Sequence, residues 1–161
     1  LELVGIDSDY YYVSPLELSG GQKRCVAIAG VLAMNPKILV MDEPAAGLDP
    51  GTRRSIYQLV ERIKKERQIA VVLVSHHMED VAEYVDRIIV MNSGEVMFDG
   101  VPKEVFSHYK ELEAVGLAAP QVTYIMHELK EKGLDVDLDA TTIDEAKQTI
   151  LDALRHRPTA N

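Results

Sequence analysis

At 161 residues and 47% apolar, the chain is long enough for one packed domain or a domain with an appendage, and its composition argues against wholesale disorder. Its 17 basic and 26 acidic residues leave a formal charge of −9, so it has no general field suited to nucleic acid or an anionic membrane surface. The single cysteine, Cys25, excludes an intrachain disulfide, and no apolar run is long enough to span a bilayer.

In chain order, Leu1 to Val4 reads as a helix end closed by Gly5. Ser8 to Ser14 is polar and tyrosine-rich, and Pro15 punctuates it. An apolar pattern then runs to Met34, where Asn35-Pro36 stops it, and this predicts a helix with Ser19 near its N-cap. Ile38 to Met41, followed by Asp42-Glu43-Pro44, reads as a buried parallel strand with acids at its carboxyl end. Pro50 to Arg67 is an amphipathic helix presenting Ile56, Leu59, Val60 and Ile63 on one face. Ile69 to Val74 is a second buried strand, and Met78 to Tyr84 a short helix. Arg87 to Met91 and Glu95 to Phe98 flank Asn92-Ser93-Gly94, the pattern of a hairpin. This alternation predicts an α/β layer with parallel strands near 38–42, 69–74 and 87–91 and a hairpin strand at 95–99. Beyond Gly100 only helices are expected, at Pro102 to Tyr109, Pro120 to Lys132 and Thr142 to Arg157, joined by acidic loops. The expected division is a body at 1–110 and a helical appendage at 111–161.

Three sites carry chemistry. Acids that follow a buried strand are costly unless they have a partner or a task. Ligands of open α/β sheets sit beyond the carboxyl ends of strands, where one acid can hold Mg²⁺ and a second can activate water. By themselves Asp42-Glu43 read first as a solvated acidic turn after a strand. Ser19-Gly20-Gly21 at a helix start offers closely approachable backbone N–H groups to a phosphate, and a plain capped helix is the simpler reading. His76 follows a strand end and can donate to a phosphate; His77 is its rival, and a solvated loop histidine is the alternative. Asp49-Pro50 has the form of a helix N-cap.

In series these signals become specific. Leu18-Ser19-Gly20-Gly21-Gln22 is followed by Ile38 to Pro44, then by Ala46-Gly47-Leu48-Asp49, then by Val74-Ser75-His76. The series resembles the ABC ATPases: signature loop, Walker B strand, D-loop and switch histidine in that order, over Leu1 to about Gly100. Ser14 to Arg24, Val26 to Met34, the Gly94 to Phe106 stretch and the helical appendage are similar to the ATP-binding subunits of energy-coupling factor transporters. Ala45, Cys25 and His77 depart from residues common in the family. The 161 residues hold no Gly-x-x-x-x-Gly-Lys-Ser/Thr and no Q-loop. With no basic leader and no initiator methionine, the expectation is the C-terminal portion of a longer subunit, with a sheet edge and apolar surface left open.

The resemblance implies the following roles. Glu43 is the general base for the attacking water, Asp42 organises Mg²⁺, and His76 contacts the γ-phosphate. Ser19, Gly20, Gly21 and Gln22 meet ATP bound on a second ABC ATPase subunit, and Asp49 links the two sites. It also implies a transmembrane coupling subunit, a substrate-binding membrane subunit, a peripheral place at the cytoplasmic face of the membrane, and uptake of a vitamin or metal ion. The chain alone is expected neither to bind ATP tightly nor to hydrolyse it. Two other readings stand beside this one: a partner fragment supplying only a signature loop, and a DNA-repair ATPase. The acidic charge and the lack of coiled-coil heptads oppose the latter.

Overall fold

The computed structural model describes residues 1–155, so the expected helix end at Arg157 lies outside the described residues. The chain divides into two compact units, Leu1–Ser75 and a second from His76 onward.

In the first unit, Glu2–Val4 forms a single 3₁₀ turn where a helix end is expected, closed by Gly5 at φ 72°. Helix α1 spans Gly20–Leu32 and α2 spans Pro50–Arg67. Strands β1 (Ile38–Asp42) and β2 (Ala70–Val74) pair in parallel, with Asp42 opposite Val74. Asn35 at φ 50° turns the chain out of α1, and Gln68 at φ 51° ends α2. The helices supply Ile28, Leu32, Ile56, Leu59, Val60 and Ile63 to a core that also takes Leu39, Met41 and Ile69. The area rule makes each fully buried aliphatic side chain worth about 1.5–3 kcal/mol.

Only one face of this sheet is buried. Leu39 and Met41 point inward, while Ile38, Val40, Val72 and Val74 lie 47–65% exposed. The expectation of strands buried on both faces is therefore corrected: the continuous apolar runs are present, and within the described residues helices cover one side only.

In the second unit, α3 (Met78–Tyr84) precedes β3 (Ile88–Asn92) and β4 (Glu95–Gly100). The strand expected near 87–91 forms and pairs antiparallel with β4, the hairpin that the sequence pattern predicts. The reason is local. Ser93 at φ 52° and Gly94 at φ 84° make a two-residue turn of the type whose twist suits a hairpin. A bulge between Val90 and Met91 shifts the register. Helices α4 (Pro102–Ser107) and α5 (Tyr109–Ala114) follow, with Val105, Phe106 and Leu112 in one core. Helices α6 (Gln121–Glu131) and α7 (Ile143–Arg155) build another around Met126, Val136 and Ala146. No described helix is long and apolar enough to cross a membrane.

Candidate functional site

The N-terminus of α1 is held by a reciprocal cap. The Ser19 Oγ accepts from the Gln22 N–H at 3.2 Å, and the Gln22 Oε1 accepts from the Ser19 N–H at 2.9 Å. The Lys23 N–H donates to the Ser19 carbonyl at 2.9 Å. A helix cannot satisfy its first N–H groups internally. With Gln22 and Lys23 engaged, the Gly20 and Gly21 N–H groups are the backbone donors a bound anion would use, and the Ser19 hydroxyl keeps its own proton to give. The Gln22 amide oxygen is spent on the cap, leaving only its NH₂ end for a ligand.

At the carboxyl end of β1, Asp42 is exposed and Glu43 is half-buried. Glu43 sits at φ 43°, a left-handed conformation costly for any residue with a Cβ. Its N–H donates to the Val74 carbonyl at 2.9 Å, and its own carbonyl accepts from the Ala46 N–H at 3.1 Å. The Ser75 Oγ donates to the Glu43 Oε2 at 3.5 Å, a long contact. The turn that follows buries Ala45 and passes through Gly47 at φ 72°.

Asp49 caps α2. One carboxylate oxygen accepts from the Gly51 and Thr52 N–H groups at 3.0 Å each, and the other accepts from the Thr52 hydroxyl at 2.6 Å. Those donors, the Thr52 hydroxyl first, hold the Asp49 carboxyl below the ordinary aspartate range. The N-termini of α1 and α2 touch. A Cβ built on Gly21 would lie 2.6 Å from the Thr52 Cγ2, and one on Gly20 would lie 3.4 Å from the Leu48 Cδ2. The Arg24 Nη2 donates to the Ala46 carbonyl at 3.4 Å, fastening α1 to the same loop. An open cleft of about 810 Å³ runs beside the pair, lined by Ser19, Gln22, Cys25, Asp49, Thr52 and Arg62 among others. Burial pushes the Cys25 thiol up, away from the thiolate.

Ser19, Gly20, Gly21, Gln22, Asp42, Glu43 and Asp49 thus share the first unit, while His76 opens the second, stacked on His77 with ring centroids 5.0 Å apart. Sequence reasoning passed over Thr52. The signal was there: Asp49-Pro50-Gly51-Thr52 puts a hydroxyl three residues after a capping acid.

Residues 6–79 match a family model described as "AAA domain, putative AbiEii toxin, Type IV TA system". The energy-coupling factor transporter ATP-binding protein EcfA2 of Clostridium perfringens is 50% identical over 157 residues, covering 97% of this chain and 55% of that protein. The EcfA2 of Acetivibrio thermocellus is 52% identical over 155 residues, covering 96% and 55%. The solved structure of cbiO1 from Clostridium perfringens, part of the ABC transporter complex cbiONQ, superposes with a TM-score of 0.63 at 39% identity, over 79% of this chain and 50% of that one. The chain therefore spans about 55% of the length of the curated relatives it matches.

Proposed function

Because the chain belongs to the ABC ATPases of the energy-coupling factor group, we propose that it serves in an ATP-binding subunit that powers uptake across a membrane. Its partners in this reading are a second ABC ATPase subunit and the membrane subunits that carry the substrate, a vitamin or metal ion. Its place is the cytoplasmic membrane face, with 111–161 an appendage to the ATPase body at 1–110. The observation that carries the proposal is the pairing, in one unit, of the capped signature turn with the Asp49 loop, beside a strand that ends in Asp42-Glu43.

The signature turn uses the Gly20 and Gly21 N–H groups and the Ser19 hydroxyl to complete an ATP site on the partner subunit. The helix start favours the negative charge of the γ-phosphate. Gln22 keeps that turn in shape. Glu43 accepts the proton of the attacking water, and its backbone is set by the Val74 and Ala46 hydrogen bonds rather than by its own preference. His76 donates to the γ-phosphate as charge builds there. Asp49 carries the state of one site to the other.

Mg²⁺ fits the donor set. Asp42 is an exposed hard-oxygen ligand, and the described residues hold no group of three or more His, Cys, Asp or Glu that could cage a metal alone. Magnesium is commonly bound in this way, by one or two carboxylates with phosphate and water completing the octahedron. When bound it neutralises charge on the phosphates. Asp42 would hold it.

The test is association. The purified chain is mixed with an ATP-loaded energy-coupling ATPase subunit, and binding is followed by analytical ultracentrifugation. Binding that requires ATP and is abolished by Ser19→Arg supports the proposal, and ATP-independent binding or none contradicts it.

A further inference from the structure

We infer that Thr52 is a positioning residue that locks the signature turn to the Asp49 loop, so that a ligand engaging one moves the other. The inference rests on the functional reading only for its consequence; the contact itself is independent of it. One side chain does both jobs. The Thr52 Oγ1 donates to the Asp49 Oδ2 at 2.6 Å, and its Cγ2 occupies the space a Cβ on Gly21 would need, 2.6 Å away. Both groups hang from the same Cβ, so the hydroxyl and the methyl turn together about χ1. The methyl cannot give way without swinging the hydroxyl off Asp49. The Thr52 N–H adds a second bond to Asp49 at 3.0 Å, and Leu48 of the same loop packs under Gly20. The two loops are therefore tied through one side chain, so displacing either displaces the other.

The experiment perturbs one side and reads the other in the 161-residue chain. The carboxyl carbon of Asp49 is titrated by NMR in wild type, Gly21→Ala, Thr52→Ser and the double variant. The expected result is that Gly21→Ala raises the Asp49 pKa toward its ordinary value, because the new methyl displaces Thr52 and breaks the bond that holds the carboxyl low. Thr52→Ser keeps the hydroxyl and removes the obstructing methyl. Gly21→Ala should then leave the Asp49 titration where it is. An Asp49 titration indifferent to Gly21→Ala in the Thr52 background overturns the inference. Should Gly21→Ala fail to fold, Thr52→Val decides alone: it must release Asp49 and weaken ATP-dependent association with the partner subunit about fivefold, the size one hydrogen bond carries. A Thr52→Val chain that associates at wild-type strength overturns it equally. If the wild-type chain shows no ATP-dependent association, the functional reading has failed, while the Asp49 titration still judges Thr52.

Discussion

Glu43 offers the sharpest test of how function shapes this fold. Its φ of 43° places an L-residue in the left-handed region, where steric conflict costs about 1–2 kcal/mol. Glycine has no such conflict but carries about 0.5–1 kcal/mol more backbone entropy to lose on folding. Glu43→Ala and Glu43→Gly both delete the carboxylate and its contact with Ser75, so they differ in the Cβ alone. The difference isolates the strain. The glycine variant should be the more stable of the two by about 0.5–1 kcal/mol. For a chain of this size that is a melting midpoint higher by about 1–4 °C, followed by circular dichroism at 222 nm and pH 7. Backbone entropy alone favours alanine over glycine, so an alanine variant melting at or above the glycine variant would refute the strain argument. The strain persists because the hydrogen bonds to Val74 and Ala46 over-determine the turn, as is common where a reacting group must be aimed.

Ile63 is fully buried at the centre of the first core, so Ile63→Ala should cost about 2–5 kcal/mol in urea unfolding. Ser19→Ala removes one half of the cap and should cost about 1 kcal/mol, whereas Gln22→Glu keeps an acceptor at the third helical position and should leave stability near wild type. Ser93→Asn puts the non-glycine residue best suited to positive φ into the hairpin turn and should raise the melting midpoint slightly. Glu145 sits with its carboxylate on the Thr141 and Thr142 N–H groups, which hold its pKa below the usual glutamate value, the Thr141 N–H foremost. A lowered folded-state pKa contributes stability that is fully present above the unfolded value of 4.5 and is lost as pH falls through the folded one. Acidification below pH 4.5 should therefore loosen the α7 start in wild type, with Glu145→Gln flattening that part of the pH profile.

Much of this architecture was legible residue by residue. Asp49-Pro50 marks the α2 start, and Arg67 precedes its left-handed Gln68 exit, so the helix reads correctly at both ends. Ser19 reads as a cap for the same reason. The uncovered sheet face was less legible: Ile38, Val40, Val72 and Val74 have the composition of buried strand residues, and composition reports what a side chain suits rather than what covers it. The helix expected from Pro102 ends at Tyr109, so α5 is not anticipated: no capping side chain, proline or glycine marks a start at Tyr109, and the break at His108, φ −90° and ψ 31°, separates it from α4. Gln22 reads as a ligand contact from its motif, and what the motif does not reveal is that its amide oxygen also closes the cap. Thr52 is invisible as a site residue because its importance lies in the space it fills beside Gly21, on a helix more than twenty residues earlier in the chain, where a Cβ would come within 2.6 Å of its methyl.

The most direct test joins the segment of the Clostridium perfringens EcfA2 that lies N-terminal to the matched region onto Leu1 and measures Mg²⁺-dependent ATP turnover of the chimera. The account predicts turnover that Glu43→Gln lowers at least about a hundredfold, the low end for a general base, with ATP binding retained. Turnover unchanged by Glu43→Gln would contradict it.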